Sequence, residues 1–266
     1  MTAGTASSST RFRPHLCECA KAIVVISKIV GRHSVGSKRS AKPRQGAKES
    51  RPTNTDSNHG RIQILDHPLV ATGLSILRAK TTTPDLFRRQ LQEIAILLFA
   101  EASRSWGIAP IVVETPLASC AGAVLAKPIV LVPILRAGLG MLDGIIRVVP
   151  DASIGHIGLY RDAETLRPVS YYDRLPVKIA AAAVLLLDPM LATGHSACEA
   201  ASILKAQGAR HIQFLCVLAC PPGVQQFQSE HPDVPIITAA VDPGLNKFGY
   251  IVPGLGDAGD RYFGTG

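Results

Sequence analysis

Residues 183–196 read Ala183-Val-Leu-Leu-Leu-Asp-Pro-Met-Leu-Ala-Thr-Gly-His-Ser196, and a helical pattern continues from Ser196 to Gln207, closed by Gly208. A short apolar run without alternation is the mark of a strand covered on both faces. The acid, the Thr-Gly turn and the helix start that come after it form an anion cradle, because backbone N–H groups and the helix dipole face one point. No lysine is present there in a Walker pattern, so this is not a P-loop. Such a cradle suits a phosphomonoester, and Asp188 at its entrance suits sugar hydroxyls, which donate to a carboxylate. Read bare, the same stretch is also an ordinary strand-to-helix turn with Thr193 as cap.

Four further apolar runs share this texture: Ile129–Leu135, Ile154–Tyr160, Ile212–Leu218 and Ile236–Val241. Helical patterns lie between several of them. Upstream, a short one spans Leu69 to Arg78, and Thr83-Pro84-Asp85 starts a longer one expected to end near Trp106-Gly107. Strands alternating with helices predict an α/β fold: an open, mostly parallel five-stranded sheet with helices on both faces. Ligands of such sheets bind beyond the carboxyl ends of the strands, so the residues just after each run are the candidates for chemistry.

Arg136-Ala-Gly-Leu-Gly140 stands after the first run. An arginine beside small residues lets backbone and guanidinium approach a polyanion together. Arg161-Asp162 stands after the second run, as a second anion-facing arginine or an ordinary surface one. Near the C-terminus, Gly254 to Gly259 spells G-x-G-x-x-G, but Pro253 precedes it and only seven residues remain beyond it, so it cannot open a βαβ unit. Its reading is a loop that presents main-chain groups, with Asp257 as its acid, to a flat polar ligand.

The chain has 266 residues, 47% of them hydrophobic and 18% charged, enough apolar content for a core. Its net charge of +8 is confined to one end: residues 1–60 hold 11 Lys and Arg against 3 Asp and Glu, whereas residues 61–266 hold 17 of each sign. A nucleic-acid-binding face on the folded part is therefore not expected, nor is a membrane span. The charge divides the chain into two regions: a disordered basic extension over 1–60 and one domain over 61–266. The extension is acid-poor and Ser/Arg-rich, which leaves organellar targeting open beside a cytoplasmic location. The six cysteines, at 17, 19, 120, 198, 216 and 220, contain no CxxC pair and are too sparse for a disulfide scaffold. Cys216 and Cys220 read as buried free thiols, and no structural metal is expected.

Together, His67-Pro-Leu, Pro133-Ile-Leu-Arg-Ala-Gly-Leu-Gly-Met141, Asp188-Pro-Met-Leu-Ala-Thr-Gly194 and Tyr250-Ile-Val-Pro-Gly-Leu-Gly-Asp-Ala-Gly-Asp260 resemble the uracil phosphoribosyltransferases, of the type I phosphoribosyltransferase family. The resemblance covers about residues 62–266. It implies transfer of the 5-phosphoribosyl group of 5-phosphoribosyl 1-diphosphate to uracil, giving UMP and diphosphate in pyrimidine salvage. The alternative is a non-catalytic regulator that keeps the fold and binds nucleotide or the ribosyl donor. In the family's terms Arg136, Asp188 and Asp257 are catalytic. Arg136, Arg161, Asp257 and the loop Asp188, Pro189, Met190, Leu191, Ala192, Thr193, Gly194, His195 and Ser196 hold the donor. Ile251, Gly256, Asp257 and Ala258 read uracil, largely through the backbone. Mg²⁺ is implied as cofactor, reaching the site through the donor's diphosphate and water rather than through a side chain. A GTP effector, a homo-oligomer (dimer or higher), a non-proline cis peptide at the Arg136 turn and a small flap or hood at Tyr171–Pro176 belong to the same expectation. One departure stands inside the cradle: His195 replaces a usual glycine.

Overall fold

The computed structural model describes residues 62–161 and 168–266, so the expected extension over 1–60 and its boundary at 61 lie outside the described residues. In chain order the strands are β1 (Ile62–Ile64), β2 (Ile108–Glu114), β3 (Ser119–Leu125), β4 (Ile129–Leu135), β5 (Ser153–Ile154), β6 (His156–Arg161), β7 (Pro168–Arg174), β8 (Ala183–Leu187), β9 (Met190–Leu191), β10 (His211–Ala219), β11 (Ile236–Val241), β12 (Gly244–Leu245) and β13 (Ile251–Val252). The helices are α1 (Pro68–Arg78), α2 (Pro84–Ala102), α3 (Leu139–Ile145), α4 (His195–Ala206), α5 (Pro221–Glu230) and α6 (Ala258–Phe263).

The main sheet runs β1-β11-β10-β8-β4-β6-β7, with β5 beside β4 and β9 beside β10. All its pairings are parallel except that of β7 with β6. The five expected runs thus occupy its centre, and β1 and β7 widen it at the two edges. Alternate residues of the central strands serve opposite faces. Leu131, Leu185, Leu187, Leu215 and Val217 pack with Leu91, Leu98, Met141 and Ile145 of α2 and α3. Val130, Val132, Val184, Leu186 and Phe214 pack with Ala200, Leu204 and Phe227 of α4 and α5. Two buried faces are why these strands read as unbroken apolar runs.

Helix boundaries obey local chemistry. Pro68 rather than Leu69 opens α1, because the His67 ring Nδ1 accepts from Leu69 N–H at 3.2 Å and caps it. Thr83 does precede α2, but its hydroxyl donates to the Asp85 carboxylate instead of capping the helix. α2 stops at Ala102 in a short 3₁₀ turn, earlier than expected. Trp106 then turns inward, edge-on to Phe99 at 5.7 Å, and its Nε1 donates to Gln213 Oε1 at 2.9 Å. Cys198, Cys216 and Cys220 are buried free thiols.

Two features add to the sequence reading. The β2–β3 hairpin went unassigned there. It pairs with no other strand and exposes Ile108, Val112, Leu117 and Val124, so it carries apolar residues without the core-facing periodicity that marks a buried element. The Tyr171–Pro176 segment, expected as a flap, lies largely in β7, antiparallel to β6 with Arg174 opposite His156.

An ion pair holds the start of the C-terminal segment. Arg78, in the last turn of α1, donates to both carboxylate oxygens of Asp242, just past β11, at 2.7 and 2.6 Å. Asp242 also accepts from Gly254 N–H at 2.9 Å, and Arg78 donates to Gly254 O at 2.9 Å. Gly254 itself has φ +61°, and a Cβ there would sit 2.0 Å from Ile251 O, so no other residue fits this turn. Asp242→Ala is expected to destabilise the protein by about 2–4 kcal/mol, since it leaves a guanidinium and a buried N–H unpaired. Chemical denaturation checks this. An Arg78→Ala/Asp242→Ala double variant should lose clearly less than the sum of the two single variants.

Candidate active site

Three loops meet at the carboxyl ends of β4 and β8. The first leaves β4 through a cis peptide between Leu135 and Arg136, as the resemblance implies. It then turns tightly, with Gly138 N–H donating to Ile134 O at 2.9 Å. A Cβ on Gly138 would lie 2.4 Å from Leu187 O, so glycine is what allows this turn to abut the end of β8.

The second loop is the cradle. Pro189 O accepts from both Val217 and Leu218 N–H at 2.9 Å, and β9 pairs with β10, which fixes the path from Asp188 to Leu191. The loop then rests on the start of α5, where a Cβ at Gly223 would lie 2.4 Å from Ala192 O. Gly194 has φ +86° and stands at the N-cap of α4, where it offers no side-chain oxygen to the first-turn N–H groups. His195 and Ser196 are exposed at that helix end. A helix N-terminus without a side-chain cap receives anions.

The third loop joins β13 to α6. Its peptide Val252–Pro253 is cis. Ile251 and Ala258 bury their side chains, leaving backbone as what they can present. Gly256 has φ +78° and is exposed. Asp257 caps α6, its Oδ1 accepting from Asp260 N–H at 2.8 Å. An exposed loop acid reads as free of structural duty, but this one holds the start of a helix. Arg261 anchors the same segment to α1, donating to Leu255 O at 2.8 Å, to Ala79 O at 2.7 Å and to Leu77 O.

Charge links the first and third loops and acts on the second. Arg136 reaches Asp260 Oδ1 at 3.3 Å and lies 5.5 Å from the Phe263 ring centroid, so the first and third loops touch. Asp188 is half-buried, and burial pushes its carboxyl up to about 7; the Met190 N–H bond opposes this, and the Asp257 charge adds to it. The two acids therefore act on each other through their charge. Of the expected site residues, Arg161 lies at the end of β6, three residues past the Gly158 that pairs with Leu135. Its side chain lies outside the described residues. Sequence reasoning passed over Arg78, Asp242, Asp260 and Arg261. Asp242 carried the same signal as Asp188, an acid directly after an apolar strand. A separate cavity of about 620 Å³, lined by Trp106, Lys127, Arg210 and His211 among others, opens at the opposite, amino-terminal end of β8 and β10.

The chain matches the family model described as uracil phosphoribosyltransferase over residues 64–265. A uracil phosphoribosyltransferase of Paracoccus denitrificans is 51% identical over 205 residues, which cover 77% of this chain and 97% of the relative. One of Dictyoglomus thermophilum is 52% identical over 205 residues, covering 77% and 99%. Among solved structures, the AQ2163 protein of Aquifex aeolicus superposes with a TM-score of 0.74 at 35% identity, covering 77% of this chain and 99% of that one.

Asp188 tests the site's electrostatics. Unfolded, its carboxyl ionises near pH 4; folded, near 7. Between those values the native state keeps a proton that the unfolded state has lost, so stability falls as pH rises through that window. Asp188→Asn is expected to flatten the fall, its melting temperature gaining on the unsubstituted protein's from pH 4 to pH 8. A constant difference across that range would show that Asp188 titrates normally. Asp257→Ala should cost about 1 kcal/mol through loss of the cap, at every pH where the carboxylate is ionised.

Proposed function

The chain belongs to the uracil phosphoribosyltransferase family, and from that premise we propose how its loops divide the work of the reaction. The activity is pentosyl transfer in pyrimidine salvage: uracil and 5-phosphoribosyl 1-diphosphate give UMP and diphosphate. The observation that carries this is identity of about half over nearly the full length of curated relatives. Convergence of the three loops on one volume supports it.

In the proposed arrangement the 5-phosphate sits at the start of α4, on backbone N–H groups from Thr193 to Ser196. His195 can replace glycine there because the needed donor is main-chain. Asp188, once ionised, accepts from the ribose hydroxyls, and Asp257 faces it from the other side of the donor. Arg136 and Arg161 take the diphosphate, and Arg136 exchanges Asp260 for it. As diphosphate departs, positive charge develops on the ribosyl carbon, so stabilising the leaving group does more than a strong base would. Uracil lies against Ile251 and Gly256–Ala258; the buried side chains of Ile251 and Ala258 and the bare Gly256 leave backbone N–H and C=O groups to read its edge. The carboxylates of Asp188 and Asp257 offer hard oxygen atoms to the water shell of Mg²⁺. Carried in on the diphosphate, that ion would neutralise charge on the leaving group.

Three further parts of the reading have their own support. A second copy of the chain would cover the exposed apolar hairpin β2–β3, which makes a homo-oligomer. The 620 Å³ cavity, with an aromatic wall and several cations, has the size and charge for a nucleotide effector such as GTP. No helix among the described residues is long and apolar enough to cross a membrane, in keeping with a cytoplasmic enzyme.

The purified chain is expected to form UMP from uracil, ribosyl diphosphate and Mg²⁺. Arg136→Ala should lower turnover by about 100-fold or more while the fold persists, as removal of a group that stabilises transition-state charge does. Donor binding without UMP formation would instead favour the regulator.

A further inference from the structure

Behind the phosphate cradle, on the far side of α4, lies a cluster that the transfer reaction does not use. Cys198 is in the first turns of α4, and Glu230 and His231 stand at the end of α5. Their potential ligand atoms, one from each side chain, lie within 4.8 Å of one another. Cys198 is 4% and His231 5% exposed, whereas Glu230 faces solvent.

One ring nitrogen of His231 is engaged and the other is not. Its Nε2 lies 3.0 Å from Cys198 O and 3.4 Å from Ser202 Oγ, and its ring stacks near Phe227 at 5.5 Å. Its Nδ1 is buried with no hydrogen-bond partner, the one such side-chain atom among the described residues. Buried polar atoms are nearly always paired, so an orphan asks for something to fill its place. A metal-bound imidazole characteristically donates its other N–H to a backbone carbonyl, the bond that Nε2 makes here.

We propose that Cys198 Sγ, His231 Nδ1 and a Glu230 carboxylate oxygen form a binding site for a zinc-class divalent ion. Thiolate, imidazole and carboxylate are the donors that Zn²⁺ takes, and three of them with water in the fourth position complete a tetrahedron. Bonds of about 2.0–2.3 Å put tetrahedral ligand atoms roughly 3.3–3.6 Å apart, so the cluster closes by side-chain shifts of about 1 Å. Exposed Glu230 gives the ion its way in. Burial first, then Glu230, pushes the Cys198 thiol up to about 12, so the ion displaces a proton from sulfur to solvent as it binds. The site is also placed to matter. Cys198 N–H donates to Gly194 O at 2.9 Å, so an ion joining Cys198 to His231 would pin the helix turn that carries the phosphate cradle to the end of α5.

Cobalt titration of the full-length, metal-stripped protein tests this, in a background of Cys17→Ser and Cys19→Ser that removes the N-terminal thiols. The expected result is one equivalent of Co²⁺ bound with a thiolate-to-cobalt charge-transfer band, displaced by Zn²⁺ and lost in Cys198→Ala. Glu230→Gln, an exposed change that leaves the core untouched, should weaken cobalt binding by about tenfold or more, the scale on which even outer partners of a metal matter. Absence of the band in the parent, its persistence in Cys198→Ala, or equal affinity in Glu230→Gln would each overturn the site.

Discussion

The bond between Arg78 and Asp242 is the constraint on which the candidate site depends. A parallel sheet positions β4 and β8 by itself, through ladder hydrogen bonds and two apolar faces. The C-terminal loop has no such support, for between Asp242 and Ala258 the chain offers two dipeptide strands and a run of glycines. Asp242 satisfies the N–H of Gly254 and Arg78 its C=O, so the pair grips one peptide unit from both sides. The guanidinium holds the Asp242 carboxyl below its ordinary range, with the Gly254 N–H adding to the effect, so the grip lasts to more acid pH than a free carboxylate would allow. Arg261 then ties the next stretch to the end of α1, and Asp257 starts α6 at a fixed place.

The site assembled this way is electrostatically unfinished. The charge of Asp257 disfavours ionisation of Asp188, while Arg136 is held by Asp260 at 3.3 Å between two partly exposed side chains. An exposed pair of that kind is worth little, so a diphosphate can take Arg136 from it at small cost. In the proposed arrangement the two acids face the ribose hydroxyls and a cation, and Arg136 faces the leaving group. On that proposal, ligand binding would relieve both arrangements at once.

Much of this was legible in the sequence because the informative signals are local. Unbroken apolar runs gave the five central strands, since both faces of each are covered. Thr193-Gly194 at a strand-to-helix junction gave the cradle, since positive φ and a helix start can be read from residue type. The Arg78–Asp242 pair spans 164 positions, and nothing local distinguishes Arg78 from any basic residue in a last helical turn. The capping role of Asp257 is hidden for the same reason: its partner is a backbone N–H that exists only once α6 has formed. The hairpin β2–β3 escaped because its apolar residues face outward, which burial-based patterns do not anticipate.

Amide hydrogen exchange with and without 5-phosphoribosyl 1-diphosphate and Mg²⁺ tests the convergence of the three loops most directly. Binding should slow exchange together in 136–140, 188–197 and 254–260, although these segments are distant in sequence. Protection limited to one of them, or centred on the amino-terminal ends of β8 and β10, would contradict a donor site built where the three loops meet.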